Sequence, residues 1–117
     1  MKQYGIIHEY SVRTKDNERL GAEDLHAEGK RLMEALLDLE KCNDDSTDSS
    51  TASDAARGTL IAELLVSADS TGAAVEKFLT IVRTATHAIG AATPGWDDSP
   101  VTFRFEFEPL NMQLEYV

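Results

Sequence analysis

The chain has 117 residues, of which 42% are hydrophobic, and this is enough for one folded domain with a single core. Its net charge of −10 comes from 21 acidic residues against 11 lysines and arginines. Because such a surface repels phosphate groups and anionic lipids, the composition argues against a nucleic-acid partner and against binding to a membrane.

The composition also indicates a compartment. Cys42 is the only cysteine, so the chain cannot form an intrachain disulfide. Residues 1–10 contain no apolar run typical of a signal peptide. No stretch approaches the roughly 20 apolar residues that a membrane-spanning helix needs. We therefore expect a cytoplasmic protein.

The first segment alternates between apolar and polar side chains, which predicts a half-buried strand. One face carries Tyr4, Ile6, His8, Tyr10 and Val12. Ile7 is an exception, because it is an apolar residue on the opposite, polar face.

Two segments carry apolar residues at helical spacing. The first covers residues 21–41, with acidic residues in its first turn. The second begins at an N-cap formed by Asp69 or Ser70 and ends before Gly90, a typical residue after a helix. The two apolar rows are Leu25, Leu32, Leu36 and Leu39, and Val75, Phe78, Val82, Ala85 and Ile89.

Residues 43–54 are polar apart from Ala52, a composition that predicts turns or a mobile segment. Within it, residues 49–53 also form a candidate edge strand, because a turn at 55–58 and a strong strand over 59–68 follow. If the polar segment is a loop instead, the element order becomes β-α-β-α-β-β.

The C-terminal part is predicted to contain a loop over 91–100 and two strands. Residues 101–108 alternate strictly, and after Pro109 a further short strand runs over 110–116. The whole chain, residues 1–117, is thus predicted to be one α+β domain. Its order matches a ferredoxin-like β-α-β-β-α-β two-layer sandwich with an extra C-terminal strand.

No group of residues indicates catalysis, a cofactor or a bound metal. His8 lies among apolar neighbours, a setting more typical of a core histidine than of a general base. Cys42 follows a helix C-terminus, where the helix dipole disfavours a thiolate. The acidic run that starts at Asp44 lacks the glycine and the final glutamate of a calcium loop. We therefore expect no catalytic, cofactor or metal residues.

Four residues are candidates for a partner surface. Trp96 is the only tryptophan and lies in the predicted loop, where it either contacts a partner or folds back onto the core. Ile7, Ile61 and Leu65 face away from the predicted core and would leave an apolar patch on the outer sheet face. The first hypothesis is a non-enzymatic interaction or structural domain that forms a homodimer or binds another protein.

The second hypothesis is a small-molecule binder or cofactor-free enzyme of the dimeric ferredoxin-like kind. Here His8, Tyr10 and the phenylalanines of residues 103–107 would line a cavity between the helices and the sheet. This hypothesis predicts an enclosed pocket with His8 at its wall.

The chain resembles a group of small uncharacterised actinobacterial proteins. The resemblance lies in residues 83–96, RTATHAIGAATPGW, and in the preceding strand and cap at residues 64–70, LLVSADS. It extends over roughly residues 36–97. Since no activity is established for that group, the resemblance implies the same element order and a bacterial cytoplasmic setting but no site residues.

Overall fold

The computed structural model describes residues 1–92 and 105–116 of this α+β protein. Its elements are β1 (Lys2–Arg13), α1 (Ala22–Glu40), β2 (Ser46–Asp54), β3 (Thr59–Ala68), α2 (Thr71–Ala88), β4 (Ala91–Ala92) and β5 (Phe105–Tyr116). The strands form one sheet in the order β2-β3-β1-β5-β4. All neighbours are antiparallel except β4, which pairs in parallel with β5.

Strand β1 supplies the middle of the core. Its pairing with β3 places Ile6 beside Leu64 and Tyr10 beside Leu60, and all four side chains are fully buried. The apolar row predicted for residues 4–12 therefore faces the helices, as the alternation indicated. Burial of these side chains beneath the helices is the main contribution to the stability of the sheet.

Both predicted helices are confirmed. In α1 the close approach to the sheet occurs at Gly29, where a Cβ atom would lie 3.2 Å from Cδ2 of Leu60. In α2 the cap is Ser70 rather than Asp69, since the Ser70 hydroxyl accepts a hydrogen bond from the backbone N–H of Ala73. Gly90 follows α2 with a φ of 81°, a conformation that glycine adopts without strain.

The polar segment forms a strand, β2, which is longer than the predicted 49–53. Its backbone pairs with β3, so the alternative order with a loop at this position is wrong. On the helix side, Ser46 and Ser49 are buried and the Thr51 hydroxyl donates to the carbonyl of Gly29 at 3.1 Å. Pairing with β3 and this contact with α1 hold a segment that has almost no apolar residues of its own.

The C-terminal prediction needs two corrections. Ala91 and Ala92, expected in a loop, form the short strand β4. The two strands expected on either side of Pro109 are one strand, β5, so the extra C-terminal strand is the second half of β5. Residues 101–104 of the predicted first strand lie outside the described residues. Pro109 does not end β5, because the strand continues past it with a local irregularity.

That irregularity explains how β5 keeps one face towards the core. Tyr10 pairs with Pro109 and His8 pairs with Met112, so two residues of β5, Leu110 and Asn111, lie opposite Glu9 alone. A bulge of one extra residue reverses the parity of the alternation. Phe107 before the bulge and Leu114 after it therefore both pack against the core, although one position is odd and the other even.

Deletion of Leu110 is expected to lower the free energy of unfolding by more than about 3 kcal/mol, because removing the extra residue turns Met112 and Leu114 to the outer face. Urea denaturation followed by circular dichroism measures this loss. The matched control is Leu110→Ala, which keeps the residue count at an exposed position and should cost less than about 1 kcal/mol. Equal stability of the two variants would contradict the role of the bulge.

Candidate functional site

The helices pack on one side of the sheet, and the opposite side is called the outer face here. Ile7, Ile61 and Leu65 lie together near its centre. Ile7 is the diagonal neighbour of the other two, because Ile61 pairs with Glu9 and Leu65 pairs with Gly5. All three side chains are half-buried. The structure thus brings together the three outer-face residues that the alternation had singled out.

A carboxylate is buried beside this apolar centre. Glu9 is only 8% exposed. Its Oε1 accepts hydrogen bonds from Nη2 of Arg57 at 3.1 Å and from Nδ2 of Asn111 at 3.5 Å, and its Oε2 accepts from the hydroxyl of Thr59 at 2.9 Å. These donors come from the β2–β3 turn, from β3 and from the bulge in β5. A buried carboxylate requires such partners, since an unpaired buried charge is strongly unfavourable.

Two residues of the apolar centre, Ile7 and Ile61, line a groove together with Glu9, and its volume is about 510 Å³. Its other polar side chains are Arg57, Asn111 and Gln113. Met112 also borders the groove, although it packs against the core beside His8. A concave surface with apolar lining and a few convergent polar groups is typical of a ligand or partner site. The bulge contributes directly to this site, because Asn111 is one of the two residues opposite Glu9.

Sequence reasoning identified Ile7 and Ile61 but missed Glu9 and Arg57. Glu9 reads as an ordinary polar residue of an alternating strand, and Arg57 as an ordinary turn residue. They are 48 positions apart, and they meet only because β1 and β3 pair in one register. The pattern of residues within either segment does not predict that register.

His8 lies on the other side of the sheet, in the core beneath the helices. Its ring packs against Tyr10, with centroids 4.3 Å apart, and against Phe78 at 6.1 Å. Within the described part of the chain, neither Nδ1 of His8 nor the hydroxyl of Tyr10 has a hydrogen-bond partner. Burial lowers the pKa of His8 and raises the pKa of Tyr10, so both side chains are uncharged at neutral pH.

Two further candidates, Trp96 and Phe103 of the predicted aromatic row, lie outside the described residues. Across residues 1–92 and 105–116, no three His, Cys, Asp or Glu side chains group as they would around a metal ion. Over the same ranges, no helix is both long enough and apolar enough to cross a bilayer.

Comparison with protein-family models, with curated proteins and with solved structures found no match for this chain. A functional hypothesis therefore depends on the geometry of its own residues. Two places qualify: the groove on the outer face and the His8–Tyr10 pair in the core.

Burial of His8 should make the free energy of unfolding depend on pH. Below pH 6.5 the unfolded chain binds a proton at His8 that the folded chain excludes, because burial lowers the pKa of this side chain in the folded protein. The free energy of unfolding should therefore fall as the pH drops from about 7.5 to about 5. The His8→Phe variant should remove that part of the pH dependence and should be no less stable than the wild type at neutral pH.

Urea denaturation at several pH values measures this effect, and His26→Gln, an exposed histidine on α1, is the matched control. Asp45, whose pKa is lowered mainly by its hydrogen bond with Lys77, titrates below 3.8 and so outside this window. An unchanged pH slope in His8→Phe would refute the assignment to His8.

Proposed function

We propose that the chain adopts the ferredoxin-like arrangement, in which two β-α-β units interleave in one antiparallel sheet. The order of the long strands, β2-β3-β1-β5, supports this proposal, as does the position of both helices on the same face. The two-residue strand β4 is then an addition at the edge of the sheet, beside β5.

We propose that the protein is a non-enzymatic interaction domain that self-associates as a dimer through the outer face. The observation that carries this proposal is the group of three half-buried aliphatic side chains, Ile7, Ile61 and Leu65, around Glu63 on the outer face. Three aliphatic side chains at the middle of a sheet face are a typical centre for an association surface, and the polar groups around them form its rim.

The charges around this centre favour a second copy as the partner. Arg57 lies at one end of the outer face and Glu115, which pairs with Gly5, lies towards the other end, while Glu63 pairs with Ile7 within the apolar centre. A two-fold interface is self-complementary, so an axis through the apolar centre brings the Arg57 end of one copy to the Glu115 end of the other. Each Arg57 would then approach an acidic residue of the second copy in addition to its own Glu9.

Sedimentation equilibrium tests this proposal. The wild type should have twice the chain mass of 12.9 kDa, and Ile61→Lys should weaken association by about a hundredfold, because a charge would then lie in the apolar centre. Leu37→Lys is the matched control, since Leu37 is 43% exposed on α1, away from the outer face. The proposal fails if the wild type remains at 12.9 kDa even at about 1 mM, where a weak interface is still populated.

A second candidate function is a small-molecule binder or cofactor-free enzyme that uses the core around His8. It is favoured by two neighbouring buried polar atoms, Nδ1 of His8 and the Tyr10 hydroxyl, which have no hydrogen-bond partner among the described residues, because such atoms are uncommon in folded proteins. Phenol is a suitable probe, since its ring is apolar and its hydroxyl pairs with either atom. In NMR spectra, titration with phenol should give saturable shifts in the ring resonances of His8 and Tyr10, and His8→Phe should abolish the shift at Tyr10. Ring resonances that do not change with phenol would eliminate this candidate function.

The proposed setting is the cytoplasm. The exposed thiol of Cys42, the only cysteine in the chain, supports it, because a free surface thiol persists best in a reducing compartment. A relationship to the actinobacterial group is also a proposal. It is supported by the segment that begins at residue 83, whose described part is the end of α2 with its Gly90 turn.

A further inference from the structure

We propose that the groove on the outer face binds a free α-amino acid with an aliphatic side chain. The ligand carboxylate would contact Arg57, the ligand ammonium would contact Glu9, and the side chain would lie on Ile7 and Ile61. Every one of these groups belongs to one chain and lies on the face proposed for dimerisation, so leucine and a second copy would compete for the same surface.

Arg57 is arranged to accept a carboxylate. Its side chain is 57% exposed, and its contact with Glu9 uses Nη2 alone among the described residues. A guanidinium group has five N–H donors in a planar fork, and this geometry matches a carboxylate. The ion pair with Glu9 fixes one side of the group and leaves the other side towards solvent.

Glu9 has capacity for one further donor. A carboxylate offers about four acceptor sites, and the described residues occupy three of them. The contact with Nδ2 of Asn111, at 3.5 Å, is the longest of the three. An ammonium group forms a shorter, charge-assisted bond, so it can add to the amide contact or replace it.

The net charge of the lining decides the class of ligand. Among the lining residues, Glu9 and Arg57 are the charged pair, with a sum of zero. A simple anion would be repelled by Glu9 and by the acidic chain, and a simple cation would be repelled by Arg57. A zwitterion that lies antiparallel to the ion pair places each of its charges beside the opposite charge.

The dimensions of the groove fit such a molecule. Its volume of about 510 Å³ lies within the range of roughly 300–1,000 Å³ found for small-molecule sites. The side chains of Ile7 and Ile61 suit an aliphatic side chain and offer it no hydrogen-bond partner. L-Leucine is therefore an appropriate probe.

The first test uses the unmutated protein. Titration with L-leucine, followed by amide shifts in NMR spectra, should give saturable shifts at Ile7, Glu9 and Asn111. 3-Methylbutylamine, which lacks the carboxylate, and 4-methylpentanoate, which lacks the ammonium, should each bind at least about tenfold more weakly, because each loses one charge-assisted contact. The proposal is overturned if L-leucine causes no saturable shift or if either analogue binds as tightly.

The second test assigns the contacts. Arg57→Gln should weaken leucine binding at least about tenfold while raising the affinity for 3-methylbutylamine, because the repulsion between Arg57 and the amine is lost, and Arg57→Lys should retain part of the affinity for leucine. Lys41→Gln, which removes a cation exposed after α1, is the matched control and should change neither. Wild-type leucine affinity in Arg57→Gln would also overturn the proposal.

The mass of each NMR sample should be measured by sedimentation. Binding of leucine to a chain that is already monomeric without leucine would support the proposed groove and contradict the proposed dimer. A dimer whose amide resonances do not shift with leucine would support the proposed dimer and contradict the proposed groove.

Discussion

The position of β1 in the middle of the sheet is the constraint on which the rest of the structure depends. β3 pairs with one of its edges and β5 with the other, so a single register on each side decides which residues face the helices. A shift of one residue would exchange the two faces of β1 completely. The same pairing that buries Ile6 and Tyr10 thus also places Ile7 and Glu9 on the outer face.

Two of the three donors in the polar cluster on that face come from interruptions of regular pairing. One interruption is the β2–β3 turn, which carries Arg57, and the other is the bulge in β5, which carries Asn111. The backbone donors of paired strands are used within the sheet, so side chains must satisfy a buried carboxylate, and Thr59 on β3 supplies the third donor to Glu9. The bulge therefore has two consequences, because it keeps the second half of β5 packed on the core and brings an amide to Glu9.

A helix or strand could be predicted from the sequence where the residues that specify it lie within one segment. The helices and β3 were predicted well, since the periodicity of their apolar residues lies within one segment. β2 was recognisable only through the turn and strand that follow it, because its own residues are polar. β5 was wrongly divided into two strands at Pro109. A proline followed by a change in alternation parity is found where a strand ends and also where it bulges, so the sequence does not distinguish the two cases.

In the candidate site, too, residues with a local signal were predicted, and contacts between distant segments were missed. Face parity alone predicted Ile7, Ile61 and Leu65, and their meeting on one face follows from the antiparallel pairing of β1 with β3. The pairing of Glu9 with Arg57 depends on the register and on the length of the β2–β3 turn, and neither is encoded by neighbouring residues. For the same reason, the burial of His8 was predicted, but its contact with Phe78 on α2 was not.

The composition of β2 has a consequence for how far any assembly of this protein can grow. β2 is the outermost strand on its side of the sheet, and an exposed strand edge invites further strands to add without limit. Here that edge is acidic and rich in hydroxyl groups, and it is interrupted between Thr47 and Ser50, where Asp48 adopts a φ of 54°. Repulsion and irregular geometry at this edge oppose the addition of further strands and therefore growth into fibrils.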